Sequence, residues 1–279
     1  MRMEDPRMDG GRPFDWGLTS EDYARYRDIY PPEFYGRIVG KGLCVSGQRV
    51  LDVGTGTGVL PRNLYAWGAR WTGTDISENQ IREAVRLSRE GKMQIQYQVC
   101  AAEKLDFPEN SFDVITACQC FWYFDYREAA PLFARLLKPG GRLLLLYMAW
   151  LPFEDKIARA SENLVLKYNP AWTGARETRK PIAVPKGLLQ YFTQVSHEEF
   201  DLKVPFSRET WNGRMKACRG VEASLSPEQT AAWEKEHREL LEKTAPENFE
   251  ILHYGAIADL QVRKGENLYA GNRNEGTVL

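Results

Sequence analysis

A chain of 279 residues, 43% hydrophobic and 12% aromatic, holds enough apolar material for one large domain, or for one domain with a substantial cap. Basic and acidic residues nearly cancel, 37 against 38, and no three Lys or Arg stand in a row, which argues against a broad polyanion-binding surface. The longest apolar stretch, residues 143–151, is far below the roughly 20 residues that cross a bilayer.

Residues 1–16 carry Glu4, Asp5, Pro6, Asp9 and Pro13 without the apolar core of a secretory signal, so they are expected to form a flexible tail of a cytoplasmic protein. Residues 49–53, Arg-Val-Leu-Asp-Val, read as a short strand that stops at Gly54-Thr-Gly-Thr-Gly58. Val59, Leu60 and Leu64 then recur at helical spacing, giving strand, glycine-rich turn, helix. A second strand fits residues 70–74. After it, Ser77 caps a helix with Gln80 three residues on and Ile81, Ala84, Val85 and Leu87 on its apolar side.

The alternation continues with strands over 94–99 and 112–117, a helix over 127–137 that ends at Lys138-Pro-Gly-Gly141, and an almost wholly apolar strand over 142–147. Strands apolar on both faces and alternating with helices predict an α/β, doubly wound, mostly parallel sheet covered on both sides. With an N-terminal lid helix, this core is expected to occupy residues 17–150.

Beyond Trp150 the alternation fails. A helix over 153–168 leads into Pro170, Gly174, Pro181, Pro185 and Gly187, followed by a strand near 198–204 and helices near 209–218 and 226–244. Ser226 and Pro227 open the last helix, with Trp233, His237, Leu240 and Leu241 on one face. Residues 151–245 are thus expected to form helical cap insertions, residues 246–264 the final strand of the core sheet, and residues 265–279 a flexible tail.

Five cysteines are an odd number in a chain without a secretion signal, so a disulfide framework is not expected. Cys118 and Cys120 share a face if they lie on one strand and could form a ligand pair. With no second pair and no nearby His, buried structural thiols are the favoured reading, and no metal is expected.

Glycines two apart at 54, 56 and 58 let the backbone turn tightly and leave no Cβ where a ligand must approach. A dinucleotide fingerprint needs its third glycine at position 59, which is Val59, so a nicotinamide-dependent oxidoreductase is disfavoured. Asp52, at the strand end, is awkward beside a pyrophosphate and favourable near a sulfonium or ammonium. Asp75 closes the next strand 21 residues after Gly54, where a carboxylate can accept both hydrogen bonds of a ribose diol.

Val50-Leu-Asp-Val-Gly-Thr-Gly-Thr-Gly58, Gly73-Thr-Asp75, Ala101-Ala-Glu103, Phe112-Asp113 and Leu137-Lys-Pro-Gly-Gly141 resemble, in order, the successive motifs of class I S-adenosylmethionine-dependent methyltransferases, in their small-molecule subset. The resemblance spans about residues 20–150 and implies a seven-stranded Rossmann-like sheet and S-adenosyl-L-methionine as cofactor, with S-adenosyl-L-homocysteine as product. It implies that Gly54, Thr55, Gly56 and Gly58 lie along the methionine portion, that Asp75 holds the ribose, that Ile76 packs on adenine, and that Ala102 and Glu103 border the adenine edge. Many relatives carry Asp where Ala101 stands, which leaves the polar adenine contact to backbone or to Glu103.

The stretch from Tyr23 to Pro31 resembles a helix that closes over the cofactor in this subset. Tyr26 and Arg27 either reach the methionyl carboxylate or belong to an aromatic helix face with solvated arginines. Near the transferred methyl the subset reads Gln, a short spacer, His, Trp. Here Gln119 and Trp122 match, while Phe121 stands in place of the His, so that residue's proton-abstracting role is missing.

The implied function is methyl transfer by in-line displacement to a small-molecule acceptor, mainly through positioning under a lid. Gln119, Trp122, Tyr123, Trp150 and Trp211, with Trp172, would line its pocket. A nucleic-acid amino methyltransferase would place Asn or Asp, Pro-Pro and an aromatic after the fourth strand; this chain has Gln119-Cys-Phe-Trp122 there. Hydrolase motifs are absent. A binding protein that retains the cofactor without turnover stays open.

Overall fold

The computed structural model describes residues 8–15, 25–26 and 28–263. Seven strands form one sheet: β1 (Arg49–Val53), β2 (Arg70–Asp75), β3 (Gln96–Val99), β4 (Phe112–Cys118), β5 (Leu137–Trp150), β6 (Phe192–Ser207) and β7 (Asn248–Val262). Their order is β3-β2-β1-β4-β5-β7-β6. The first five run parallel, and β7 inserts antiparallel between β5 and β6. Leu143 to Leu146 of β5 are fully buried, as a strand covered on both faces requires.

Helices α1 (Pro32–Val39), α2 (Val59–Leu64), α3 (Glu78–Glu90) and α4 (Tyr126–Leu136) surround the parallel part. Caps start the last two: Ser77, as the sequence predicts, accepts at Oγ from Gln80 N, and Asp125 accepts from Arg127 N. The chain then leaves the sheet through α5 (Lys156–Tyr168) and returns as β6. Helices α6 (Arg208–Lys216) and α7 (Pro227–Thr244) lie between β6 and β7. Ser207 and Ser226 open them with capping boxes.

Two expectations for the flanking regions change. The strand near 198–204 is not enclosed in the cap; it extends over the whole of β6 and forms the edge of the core sheet, paired along its length with β7. Its alternation explains this, with Phe200, Leu202, Val204 and Phe206 buried while Glu199, Asp201, Lys203 and Pro205 stay on the polar side. The tail expected over 1–16 is, in its described part, a packed strap. Phe14 is buried against Tyr123 and the Arg219 guanidinium. Asp9 is buried too, accepting from Thr173 N at 2.7 Å and pairing with Arg219 at 2.8 Å. A polar sequence hides such a strap because its anchors are a single aromatic and a single carboxylate. No helix among the described residues is long and apolar enough to cross a membrane.

Candidate active site

Between β1 and β4 the connections depart to opposite sides of the sheet, and a crevice opens at their carboxyl ends. The glycine-rich turn lies there. Gly54, Gly56 and Gly58 all have left-handed φ, 68°, 56° and 74°, a region costly for any residue with a Cβ. At Gly54 a Cβ would also stand 2.6 Å from Cys120 Sγ. Backbone bonds then set the turn against β2: Thr55 N donates to Thr74 O, and Gly56 N to Asp75 Oδ2, both at 2.9 Å.

Asp75 is half-buried at the end of β2, where Ser77 N donates to its other oxygen at 2.8 Å. Burial raises its pKa, and these backbone N–H donors oppose the rise. Ile76, also half-buried, follows it beside the turn. Asp52 is placed differently from a ligand-facing carboxylate. Only 2% exposed, it lies beneath the turn and accepts from Thr55 Oγ1 and Thr116 Oγ1, each at 2.6 Å. Burial lifts its pKa to about 6, the two hydroxyls oppose this, and Asp75 adds to it. Asp52 therefore shapes the turn and its potential through Thr55.

Ala102 and Glu103 form a single 3-10 turn after β3, with Ala102 buried. The Glu103 carboxylate is engaged: Oε1 accepts from Asp125 N at 2.8 Å and so ties this turn to the loop after β4. Tyr26 is carried to the cap, where its hydroxyl donates to Glu209 of α6 at 3.4 Å and its ring covers Gly213. Arg27 lies outside the described residues. Asp28 accepts from Arg62 and Asn63 of α2, so Tyr26 contacts the cap while Asp28 contacts the helix that follows the glycine-rich turn.

Gln119, directly after β4, holds a left-handed φ of 62°, which is strained for a non-glycine residue. Its N–H donates to Leu146 O at 2.9 Å and its side-chain amide to Met148 O, so β5 fixes it. Beyond it a cavity of about 580 Å³ opens between sheet and cap. Gln119, Tyr147, Trp150 and Tyr254 form its sheet side, Trp122 and Tyr123 one flank, and Trp172, Glu177 and Arg219 the cap side. Most of this surface is apolar and aromatic, with a few convergent polar groups, the usual character of a small-molecule site.

The structure thus brings together Gln119, Trp122, Tyr123, Trp150 and Trp172, and it separates Trp211 from them. Trp211 is 0% exposed and sits in the core between Trp150 and Phe206, its indole N–H donating to Ser161 at 2.9 Å. The first turns of α6 direct that face inward, which a lone Trp in a polar stretch does not announce. Sequence reasoning missed Tyr147, Glu177, Arg219 and Tyr254. Tyr147 alone left a signal, a polar tip inside an apolar strand.

No histidine is among the side chains that line this cavity. His237 is buried with Nε2 on Ser161 and Nδ1 on Asn212, and burial lowers its pKa to about 3. His253 is likewise buried and lowered to about 3, while His197 pairs with Glu199 at 3.0 Å on β6. Cys118 meets Tyr30 at 3.4 Å, and Cys120 donates to Val53 O at 3.1 Å.

A family model described as a methyltransferase domain matches residues 51–145, from β1 into β5. These residues carry a methyltransferase domain. Over 131 residues this domain region is 32% identical to an uncharacterized methyltransferase, YcgJ, of Bacillus subtilis, covering 45% of this chain and 52% of that protein. Over 130 residues it is 35% identical to a ubiquinone biosynthesis O-methyltransferase of Nitrosococcus oceani, covering 46% and 54%. The chain spans about half the length of these curated relatives. A solved structure named as a type II methyltransferase from Anaeromyxobacter dehalogenans shares the fold, with a TM-score of 0.58, 21% identity and coverage of 84% of this chain and 97% of that one.

The methyltransferase domain fits the cofactor that its family implies. Three glycines leave a Cβ-free surface, and the two carboxylates Asp52 and Asp75 give the turn a negative potential suited to a cationic ligand. Thr57 Oγ1, within the turn, is buried without a hydrogen-bond partner among the described residues.

Proposed function

We propose that this protein transfers a methyl group from S-adenosylmethionine to a small-molecule acceptor held in the cavity beside Gln119. The observation that carries this reading is the junction at the end of β4: Cys120 packs under Gly54 of the cofactor turn, while Gln119, Phe121 and Trp122 line the acceptor cavity. One short loop therefore borders both reactants. When bound, the cofactor supplies an electrophilic methyl group on a sulfonium with a neutral leaving group.

The chain's own residues then have three tasks. Gly54, Thr55 and Gly56 receive the methionine portion, and Asp75 accepts from the ribose hydroxyls at the free lone pairs of its oxygens. Gln119, clamped to β5, fixes the wall from which the acceptor approaches. The cap segments 151–195 and 207–245, together with the strap over 8–15, exclude water and hold the acceptor in line. Positioning of this kind supplies roughly 7–11 kcal/mol of barrier reduction in favourable cases.

The volume of the cavity suits a small molecule and not a nucleic-acid strand, in keeping with the near-neutral charge. Likeness to O-methyltransferases is confined to the cofactor domain and leaves the acceptor to the cap. Calorimetry with S-adenosylmethionine, S-adenosylhomocysteine and NAD tests the reading: the first two should bind and NAD should not. Tight NAD binding with no response to the others would overturn it.

A further inference from the structure

The cap contributes one carboxylate to the acceptor cavity, and the sheet holds it from below. Glu177, 15% exposed at its side chain, accepts at Oε2 from the Tyr147 hydroxyl at 2.6 Å and at Oε1 from the Tyr254 hydroxyl at 3.4 Å. Lys180 Nζ stands 2.7 Å from Oε1. All four residues line the cavity. Tyr147 comes from β5 and Tyr254 from β7, their rings edge to face at 5.7 Å, and Trp122 packs its edge on Tyr147 at 5.6 Å. Burial and the neighbouring Glu177 hold the Tyr147 phenol well above its usual range, so it stays a hydrogen-bond donor. The other charged groups facing this corner are Glu162 of α5, which accepts from Trp150 Nε1 and Arg176 N, and Arg219 on the cap side.

Such a carboxylate is surplus to a cavity that only needs apolar walls. We propose that Glu177 is the proton acceptor for methyl transfer to a hydroxyl on a planar aromatic acceptor, an inference that rests on the methyltransferase reading above. The acceptor O–H bond breaks and its proton passes to Glu177. The oxygen forms its bond to the methyl carbon as the carbon–sulfur bond breaks, and that electron pair stays on sulfur, which leaves as a neutral thioether. Oε1 is engaged by Lys180 Nζ, the Tyr254 hydroxyl and Thr178 N at 3.3 Å, so the proton goes to the remaining lone pair of Oε2, which Tyr147 holds in place as a positioning residue.

Charge selects the hydroxyl. Lys180 and Arg219 are each paired, with Glu177 and Asp9, so the corner carries no surplus cation, and a neutral hydroxyl enters it without the desolvation cost that an ammonium bears. A carboxylate or thiolate acceptor needs no base and would be repelled by Glu177. The aromatic walls, Trp122, Tyr123 and Trp172, favour a flat ring.

The test uses the whole protein saturated with S-adenosylhomocysteine and 4-nitrophenol as a probe whose ionisation is read from its absorbance. Bound probe should ionise at higher pH than in solution, because its proton is shared with Glu177. In Glu177→Gln the affinity should fall about tenfold, the scale of replacing a charge-assisted hydrogen bond by a neutral one. The pH displacement should vanish with it, while S-adenosylhomocysteine binds unchanged. Tyr147→Phe, which removes a competing donor, should move the ionisation further up. Equal probe binding by Glu177→Gln, ionisation at the solution pH in the wild type, or preference for benzylamine over nitrophenol would overturn the proposal. Failure of S-adenosylhomocysteine to bind the wild type is seen before any probe is added, and it refutes the methyltransferase reading instead.

Discussion

Asp75 Oδ2 accepts a 2.9 Å hydrogen bond from the backbone N–H of Gly56, so the end of β2 holds the middle of the glycine-rich turn. Two backbone donors already fix this carboxylate, and in the proposed function it accepts from the ribose hydroxyls. Asp75→Ala should weaken S-adenosylhomocysteine binding by about 1–3 kcal/mol. Calorimetry reads this directly; an unchanged dissociation constant would place the ribose elsewhere.

Gly54 sits where φ is 68° and where a Cβ would meet Cys120 Sγ at 2.6 Å. Gly54→Ala should cost about 1–3 kcal/mol of stability through backbone strain, plus the steric conflict. Adding Cys120→Ala should recover the part due to Sγ and leave the backbone part together with the contact to Cβ of residue 120 at 2.9 Å. Denaturant melts of the two variants separate these contributions, and no recovery would show that the contact is not limiting.

Stability should fall as pH falls from neutrality. His237 and His253 have folded pKa values near 3 against an unfolded value near 6.5, so the unfolded chain binds more protons throughout that window. Asp52, raised to about 6, works the other way below that pH, because folding favours its protonated form. Asp75, Glu162 and Asp259, which burial also raises, oppose the loss in the same way, so the window that isolates the histidines is pH 7 to about pH 6, where the net loss is on the order of 1 kcal/mol. Urea denaturation at the two pH values checks the sign, and Asp52→Asn should steepen the loss. A flat profile would mean that neither histidine stays neutral in the fold.

Asp9 pairs with Arg219 across more than two hundred residues of sequence, at the mouth of the acceptor cavity. Asp9→Ala leaves the guanidinium partly buried without its partner, at a cost of about 3 kcal/mol. Hydrogen exchange should quicken in residues 8–15 and 172–174 while the cofactor turn keeps its protection. Unchanged exchange would show that Phe14 alone holds the strap.

On adding S-adenosylhomocysteine, exchange should slow in residues 151–195 and 207–245, and near Tyr26, as the cap settles on a filled site. Equal protection with and without ligand would make the cap a fixed wall. Specificity would then rest on the preformed pocket around Gln119 and Trp122.

The glycine-rich turn and its contact with Asp75 were legible in the sequence because their determinants are local. Glycine at 54, 56 and 58 is demanded by backbone angles within one turn, and Asp75 follows from the length of a strand. The doubly wound sheet was legible for a similar reason, since periodicity and turn chemistry act over a few residues. The cavity between sheet and cap was not. Glu177 stands in a polar, charged run, and only packing against β5 and β7 brings Tyr147 and Tyr254 onto its two oxygens. Trp211 and Trp172 look equivalent as sequence, yet one is sealed in the core and the other faces the cavity. Asp52 carried the right charge at the right strand end, but whether it touches a ligand or the underside of the turn depended on the hydroxyls of Thr55 and Thr116, and Thr116 lies 64 residues away. Sequence alone fixed what nearest neighbours along the chain impose; contacts between segments far apart in the chain decided which side chains face the acceptor, because burial and hydrogen-bond partners are properties of the assembled fold.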